Sequence, residues 1–169
     1  MGGDTVVPDD VVRVRVHPSV TVIPQRAFKN RWQLEEIELC DGLLEIGAWT
    51  FRGCFSLKHI SIPSTVTMIL GSAFNNCWNL ETIQLNEGLL EIGAWTFFQC
   101  FSLKAATIPS TLRAIGDDSF CCTPKLSCIN LPDGIESIGE RAFSASRLLN
   151  FRMPQSITTI LEGLFNSCR

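Results

Sequence analysis

The stretch Gly42-Leu43-Leu44-Glu45-Ile46-Gly47-Ala48-Trp49-Thr50-Phe51 returns 46 residues later as Gly88 through Phe97, and Cys54-Phe55-Ser56-Leu57-Lys58 returns as Cys100 through Lys104. Half that distance is itself a period. Phe28, Phe51, Phe74, Phe97, Phe120, Phe143 and Phe165 are separated by five gaps of 23 residues and a last one of 22. Each stands five residues after an isoleucine: Ile23, Ile46, Ile69, Ile92, Ile115, Ile138 and Ile160. A period in the twenties marks a stack of like coils, none of which can bury its apolar face alone. The 46-residue repeat is then two coils copied as a unit, and its matching residues lie two rungs, or about 10 Å, apart.

Counted from Val11, Leu34, Leu57, Leu80, Leu103, Leu126 and Leu148, every coil is apolar at offsets 0, 3, 5, 9, 12 and 17. Alternation at offsets 3 and 5 (Ile37 and Leu39, Ile60 and Ile62, Ile83 and Leu85) predicts a strand with one buried face. Pro63, Pro109, Pro132 and Pro154 end that strand, because proline cannot donate to a ladder. A second short segment carries offsets 9 and 12, and Gly47, Gly93, Gly116 and Gly139 are expected to supply a turn after it. Small residues at offset 16, such as Ala27, Thr50, Ala73 and Thr96, make room for the phenylalanine column. Ala106 is the one undersized residue of the offset 3 column, so a small void or a backbone shift is expected there.

The pattern Leu-x-x-Ile-x-Leu/Ile-Pro, then Ile-Gly-x-x-Ala/Thr-Phe, then Cys-x-x-Leu closely resembles the BspA-type leucine-rich repeat over residues 11–169. The resemblance implies a right-handed, mainly β solenoid of about seven coils of 22–23 residues. It places a parallel sheet on the concave side and short strands, turns or 3₁₀ pieces opposite. It also implies a ligand-binding or protein-binding role without enzymatic activity. Residues 1–10, with Pro8 and Asp9-Asp10, read as a short polar cap on the solenoid domain of residues 11–169.

Composition narrows the field. Apolar residues make up 46% of the 169 and charged ones 18%, which excludes a disordered chain. A formal net charge of -3 gives no basic footprint for nucleic acid. The most apolar stretch, Leu89 to Phe98, is interrupted by Glu91 and Gly93 and is far shorter than the ~20 residues of a membrane span. The N-terminus lacks the basic and apolar regions of a secretory signal, position 6 is Val rather than the Ser or Thr of a myristoylation pattern, and no Asn-x-Ser/Thr sequon occurs. These features favour an intracellular setting.

Four of the eight cysteines, Cys54, Cys77, Cys100 and Cys168, follow the repeat phenylalanine by three residues. Stacked in register they form a row, which cannot surround a tetrahedral metal and whose parallel Cβ vectors suit no disulfide. They are expected to pack as small apolar side chains. Cys121, Cys122 and Cys128 fit no zinc signature, and Cys128 is the thiol expected to point outward.

Strand positions directed away from the core, offsets 2 and 4, carry the candidate recognition residues on the concave face. Arg13 and Arg15 fall one rung from Glu36 and Glu38, and His59 and Gln84 follow further along. Glu36, His59 and Thr82 share a column, but an open sheet offers neither an oriented nucleophile nor an oxyanion hole. The lesser expectation is that Glu36 favours charged His59; His17 has no evident partner. Offset 21 is the least generic column: Trp32, Phe55, Trp78 and Phe101 predict an aromatic flank, which marks an interface or simply shields backbone. Trp49 and Trp95 add a pair on the convex side or edge.

The reading is a non-enzymatic scaffold that needs no cofactor and binds an unknown protein through the concave sheet and the aromatic flank. Self-association through that flank or the C-terminal end is a further expectation, since Leu161, Leu164 and Phe165 close the last coil without a capping helix. Two other classes compete with it: an adhesin-like surface module, and a thiol- or metal-binding protein.

Overall fold

A computed structural model describes residues 7–168. Most of the proposed cap therefore lies outside the described residues. Eleven short strands alternate between two kinds. The longer ones are β1 (Arg13–Arg15), β3 (Glu36–Glu38), β5 (His59–Ile62), β7 (Thr82–Leu85) and β9 (Ala105–Thr107). Between and after them come the two-residue strands β2 (Val22–Ile23), β4 (Glu45–Ile46), β6 (Met68–Ile69), β8 (Glu91–Ile92), β10 (Ala114–Ile115) and β11 (Ser137–Ile138). All pairings are parallel and run in the register of the repeat, Ile23 beside Ile46 and Ile60 beside Ile83.

The continuity of the two sheets is the reverse of the expected one. The longer strands split into β1-β3 and β5-β7-β9, whereas the two-residue strands form one unbroken sheet of six. Regular longer strands occur in five coils; on that side the strand pairing of the sixth and seventh is reduced to an isolated bridge between Cys128 and Asn150. The seven predicted coils thus correspond to about five regular turns. In the last one Ile160, expected in the core, is 65% exposed, and Phe165 is half-buried. Between Ser146 and Leu148 the chain is one residue shorter than in the other coils, and no strand pairs with Ser137–Ile138 from the C-terminal side.

The side opposite the longer strands is built from turns, with no 3₁₀ segment among the described residues. Its backbone is regular nonetheless. Arg26, Trp49, Ser72, Trp95, Asp118 and Arg141 all have φ between 51° and 63°, and Asn30, Gly53, Asn76, Gln99, Cys122 and Ala145 repeat the left-handed geometry four residues on. This alternation aims every second N–H at the next coil: Arg26, Phe28 and Asn30 donate to the carbonyls of Ala48, Thr50 and Arg52. Later coils repeat the pattern, so the turn side carries its own ladder and leaves few buried backbone groups unpaired.

Inside, the phenylalanine rings stack from Phe28 to Phe165 with centroids 5.0–6.0 Å apart and planes within 25°. Phe51, Phe74, Phe97, Phe120 and Phe143 are wholly buried. Thr50, Thr96 and Ser119, beside the rings, return their hydroxyls to the carbonyls of Gly47, Gly93 and Gly116 at 2.6 Å. Those glycines are required for a different reason than a turn. None has positive φ, but a Cβ on Gly47, Gly93, Gly116 or Gly139 would meet the preceding coil's backbone at 2.4–2.6 Å. Close approach of two backbones, not conformational freedom, fixes the residue. Ala106 is half-buried against the core, within β9.

Candidate protein-binding surface

Alternation along the longer strands leaves offsets 2 and 4 in solvent, and the register makes residues 23 apart neighbours. Arg13 pairs with Glu36 at 3.3 Å and Arg15 with Glu38 at 2.6 Å, all four side chains being at least 64% exposed. Such pairs contribute less than about 1 kcal/mol each, so they define charge on the surface more than they stabilise it. With Asp41, Ser61, Pro63, Ser64 and Asn86 they line an open groove of about 710 Å³ at the N-terminal end of the face. Further along, His59 Nδ1 lies 2.8 Å from Thr82 Oγ1, and Gln84 donates to Asn86 Oδ1 at 3.0 Å. Asn86 in turn donates to the Ile62 carbonyl.

No hydrogen bond or ion pair joins Glu36 to His59 among the described residues. The sheet breaks between β3 and β5, and the Glu36 carboxylate is engaged by Arg13. His17 does have a partner, since its Nδ1 meets the Ser19 hydroxyl at 2.7 Å.

The aromatic flank is present as a column, with all four residues 36–53% exposed. Phe55 and Trp78 stack at 4.3 Å, and Trp78 meets Phe101 at 6.2 Å with planes tilted by 36°. Faces turned towards each other leave mainly ring edges to solvent. Trp32, the most exposed of the four, stands at the head of the column.

Cys54, Cys77 and Cys100 of the cysteine row are buried and Cys168 is half-buried, but the thiols do more than fill space. Cys54, Cys77, Cys100 and Cys168 donate Sγ–H to the carbonyls of Phe28, Phe51, Phe74 and Phe143 at 3.1–3.2 Å. Thr123 and Ser146 fill the same position and donate to Phe120 and Phe143. Burial pushes Cys54 and Cys100 up to about 12 and Cys77 well above its ordinary value, so these thiols are inert. Cys121 is also pushed up to about 12, by burial and then by the neighbouring Cys122 thiol 3.6 Å away. Cys128 is exposed, as expected. No three His, Cys, Asp or Glu side chains among the described residues gather as a metal set.

Three contacts were not anticipated. Arg141 makes a bidentate pair with the buried carboxylate of Asp118 at 2.8 and 3.0 Å. Arg26 lies over the Trp49 ring at 5.0 Å. Arg31, in the first coil's cysteine position, is held by the Val7 carbonyl and by Asp9 at 2.7 Å. Five of the seven ion pairs among the described residues join positions 23 apart, so testing opposite charges at the repeat distance would have found Arg141 and Asp118.

A stack of parallel two-strand coils with stacked inner rings is a leucine-rich-repeat β-solenoid. The chain belongs to the BspA type leucine rich repeat family, whose profile matches in six copies over residues 10–121 and 45–169. Among solved structures it is similar to a leucine-rich repeat protein from Bacteroides ovatus ATCC 8483, at 28% identity and TM-score 0.68, covering 88% of this chain and 44% of that one. It is also similar to a leucine rich cell surface protein from Faecalibacterium prausnitzii A2-165, at 26% identity and TM-score 0.60, covering 83% and 47%. The leucine rich repeat protein of T. pallidum shares the fold at 22% identity and TM-score 0.67, covering 80% and 77%. No match is found among curated proteins. The chain thus spans less than half the length of the B. ovatus and F. prausnitzii proteins. Repeats of this family are typically non-enzymatic interaction modules. No helix among the described residues is long and apolar enough to cross a membrane.

Proposed function

We propose that this chain is a protein-binding scaffold whose contact surface combines the longer-strand face with the aromatic flank. The observation that carries the reading is the exposed column of Trp32, Phe55, Trp78 and Phe101 on a chain that already has a complete inner ring stack. Aromatic residues are enriched where interfaces bury anchors, and a coil closed by Phe, Leu and Ile has no need of them outside. Arg13, Arg15, Glu36, Glu38, His59 and Gln84 supply the polar positions that set orientation on the adjoining face. Because the paired charges are exposed, a partner can exchange them for its own without stranding a buried ion.

The test is quantitative affinity capture from native lysate with wild type and a Trp32→Ala/Trp78→Ala variant. The expected result is a partner retained by wild type and lost from the variant while both melt cooperatively. Equal capture by the two proteins overturns the reading. The F. prausnitzii relative favours a second reading, a surface-displayed adhesin-like module. Binding of the same variants to intact cells or matrix proteins rather than to lysate components separates the two.

A further inference from the structure

The turn side carries an unusual distribution of charge, and it concerns a different face from the one proposed above. From Pro24 to Cys100, the turn segments of the first four coils (24–31, 47–54, 70–77 and 93–100) contain four cations and no carboxylate. The fifth and sixth contain Asp117, Asp118 and Glu140 with a single cation, Arg141, which Asp118 already neutralises. Of the four cations, Arg31 is taken by Asp9, whereas Arg26, Lys29 and Arg52 make no ion pair among the described residues. Asp117 and Glu140 stand exposed at the far end of the same strip. The strip is therefore basic at one end and acidic at the other, with uncharged turn segments between.

We propose that this side pairs face to face with a second copy of the chain. The two-fold axis lies in the interface, across the solenoid axis and between the third and fourth coils. Such an axis lays the first coil on the sixth, the second on the fifth and the third on the fourth. Arg26 and Lys29 then lie over the coil that carries Glu140 in the other copy, and Arg52 over the coil that carries Asp117. Arg141 of the sixth coil adds little repulsion, because Asp118 holds it in a bidentate pair. Trp95, 45% exposed, comes beside the axis and supplies apolar area. Opposite it is Gly71-Ser72-Ala73 of the third coil, whose small side chains leave room for an indole ring. Every pairing occurs twice, as an isologous interface requires. Both copies share one rung spacing, so setting a single coil pair sets them all. Backbone preference does not account for the choice of Trp at positions 49 and 95, of which Trp95 is the exposed one. Their φ values are 55° and 54°, a region costly for bulky residues and cheaper for the Asn, Asp or Gly found elsewhere in the two left-handed rows.

The interface is a narrow strip, so a micromolar dimer is expected, weakened by salt because opposite charges hold both of its ends. Sedimentation velocity over a concentration series at low and high salt tests it, together with Arg26→Glu/Lys29→Glu/Arg52→Glu, which reverses the basic end, and Asp117→Arg/Glu140→Arg, which reverses the acidic end. Each variant brings ends of like charge together and should raise Kd at least about tenfold. Mixed in equal amounts, the two variants should recover dimer. In one of the two symmetric contacts the reversed charges then face each other, and in the other the native ones do. Circular dichroism confirms that each remains folded, as expected for surface sites. A wild type that stays monomeric at low salt overturns the proposal. So does a dimer that both reversals leave unchanged, or a mixture that stays monomeric. If the basic end instead takes acidic peptides with no dimer present, an acidic partner replaces the second copy.

Discussion

Two aromatic columns stand four residues apart in each of the first four coils and share one period, and the inner one continues through all seven. The inner one, Phe51 to Phe143, is wholly buried, whereas the outer one, Trp32 to Phe101, keeps 36–53% of its surface in solvent. Inner rings pack against the rows of Leu, Ile and Cys from every neighbouring coil. Of the outer rings, Phe55 stacks on Trp78 and Trp78 meets Phe101. A shared period therefore says that two columns recur, and their side of the backbone decides what each is for. The inner column holds the coils together, and the outer one is free to meet something else.

Truncation separates the columns most sharply. Phe74→Ala should lower unfolding free energy by about 3–5 kcal/mol in urea denaturation, because it empties a slot in the middle of a close-packed stack. A loss below about 1 kcal/mol would mean that neighbouring rings close the gap and that the inner column is not the spine. The thiols beside that spine give the second contrast. Cys54 and Cys100 ionise only near pH 12 when folded, whereas the unfolded chain releases the same protons from its ordinary value of 9.0. Their contribution is therefore complete below pH 9 and is lost as pH rises towards 12. Thermal melting across that window, in reductant, should show a steeper decline for wild type than for a Cys54→Ser/Cys77→Ser/Cys100→Ser variant; parallel curves refute the assignment.

On the outer side the effects shrink. Trp78→Ala should lower stability by less than Phe74→Ala, about 1–3 kcal/mol, because nearly half of the indole is already in solvent. A loss matching that of Phe74→Ala would make the flank structural and remove the main support for an interface. Smallest of all, Arg15→Ala should change stability by less than about 1 kcal/mol, and the difference should vanish in high salt. A larger, salt-insensitive effect would give the Arg15–Glu38 pair a structural role that its exposure does not suggest.

Much of this was legible in the chain, because a 23-residue repeat forces equivalent side chains into columns whatever the details of each coil. Ile60 and Ile83, Phe51 and Phe74, Arg15 and Glu38 became neighbours for that reason alone. The glycines were legible as recurring positions of the repeat but not in their reason. Gly93 has an ordinary φ, and only the distance to Gly71 on the adjacent coil shows why a side chain is barred. Ile160 misled, since its place in the pattern promised burial that an unpaired last coil does not provide.

The sequence by itself determined the period, the identity of the buried columns and the membership of each surface row, because these follow from spacing. Only the tertiary structure decided where the longer-strand sheet breaks and that thiols donate to phenylalanine carbonyls. It alone placed Arg26 on Trp49 and clasped Asp118 with Arg141. Those outcomes depend on the distance and direction of groups in successive coils, and a linear pattern carries neither until the backbone has closed each turn.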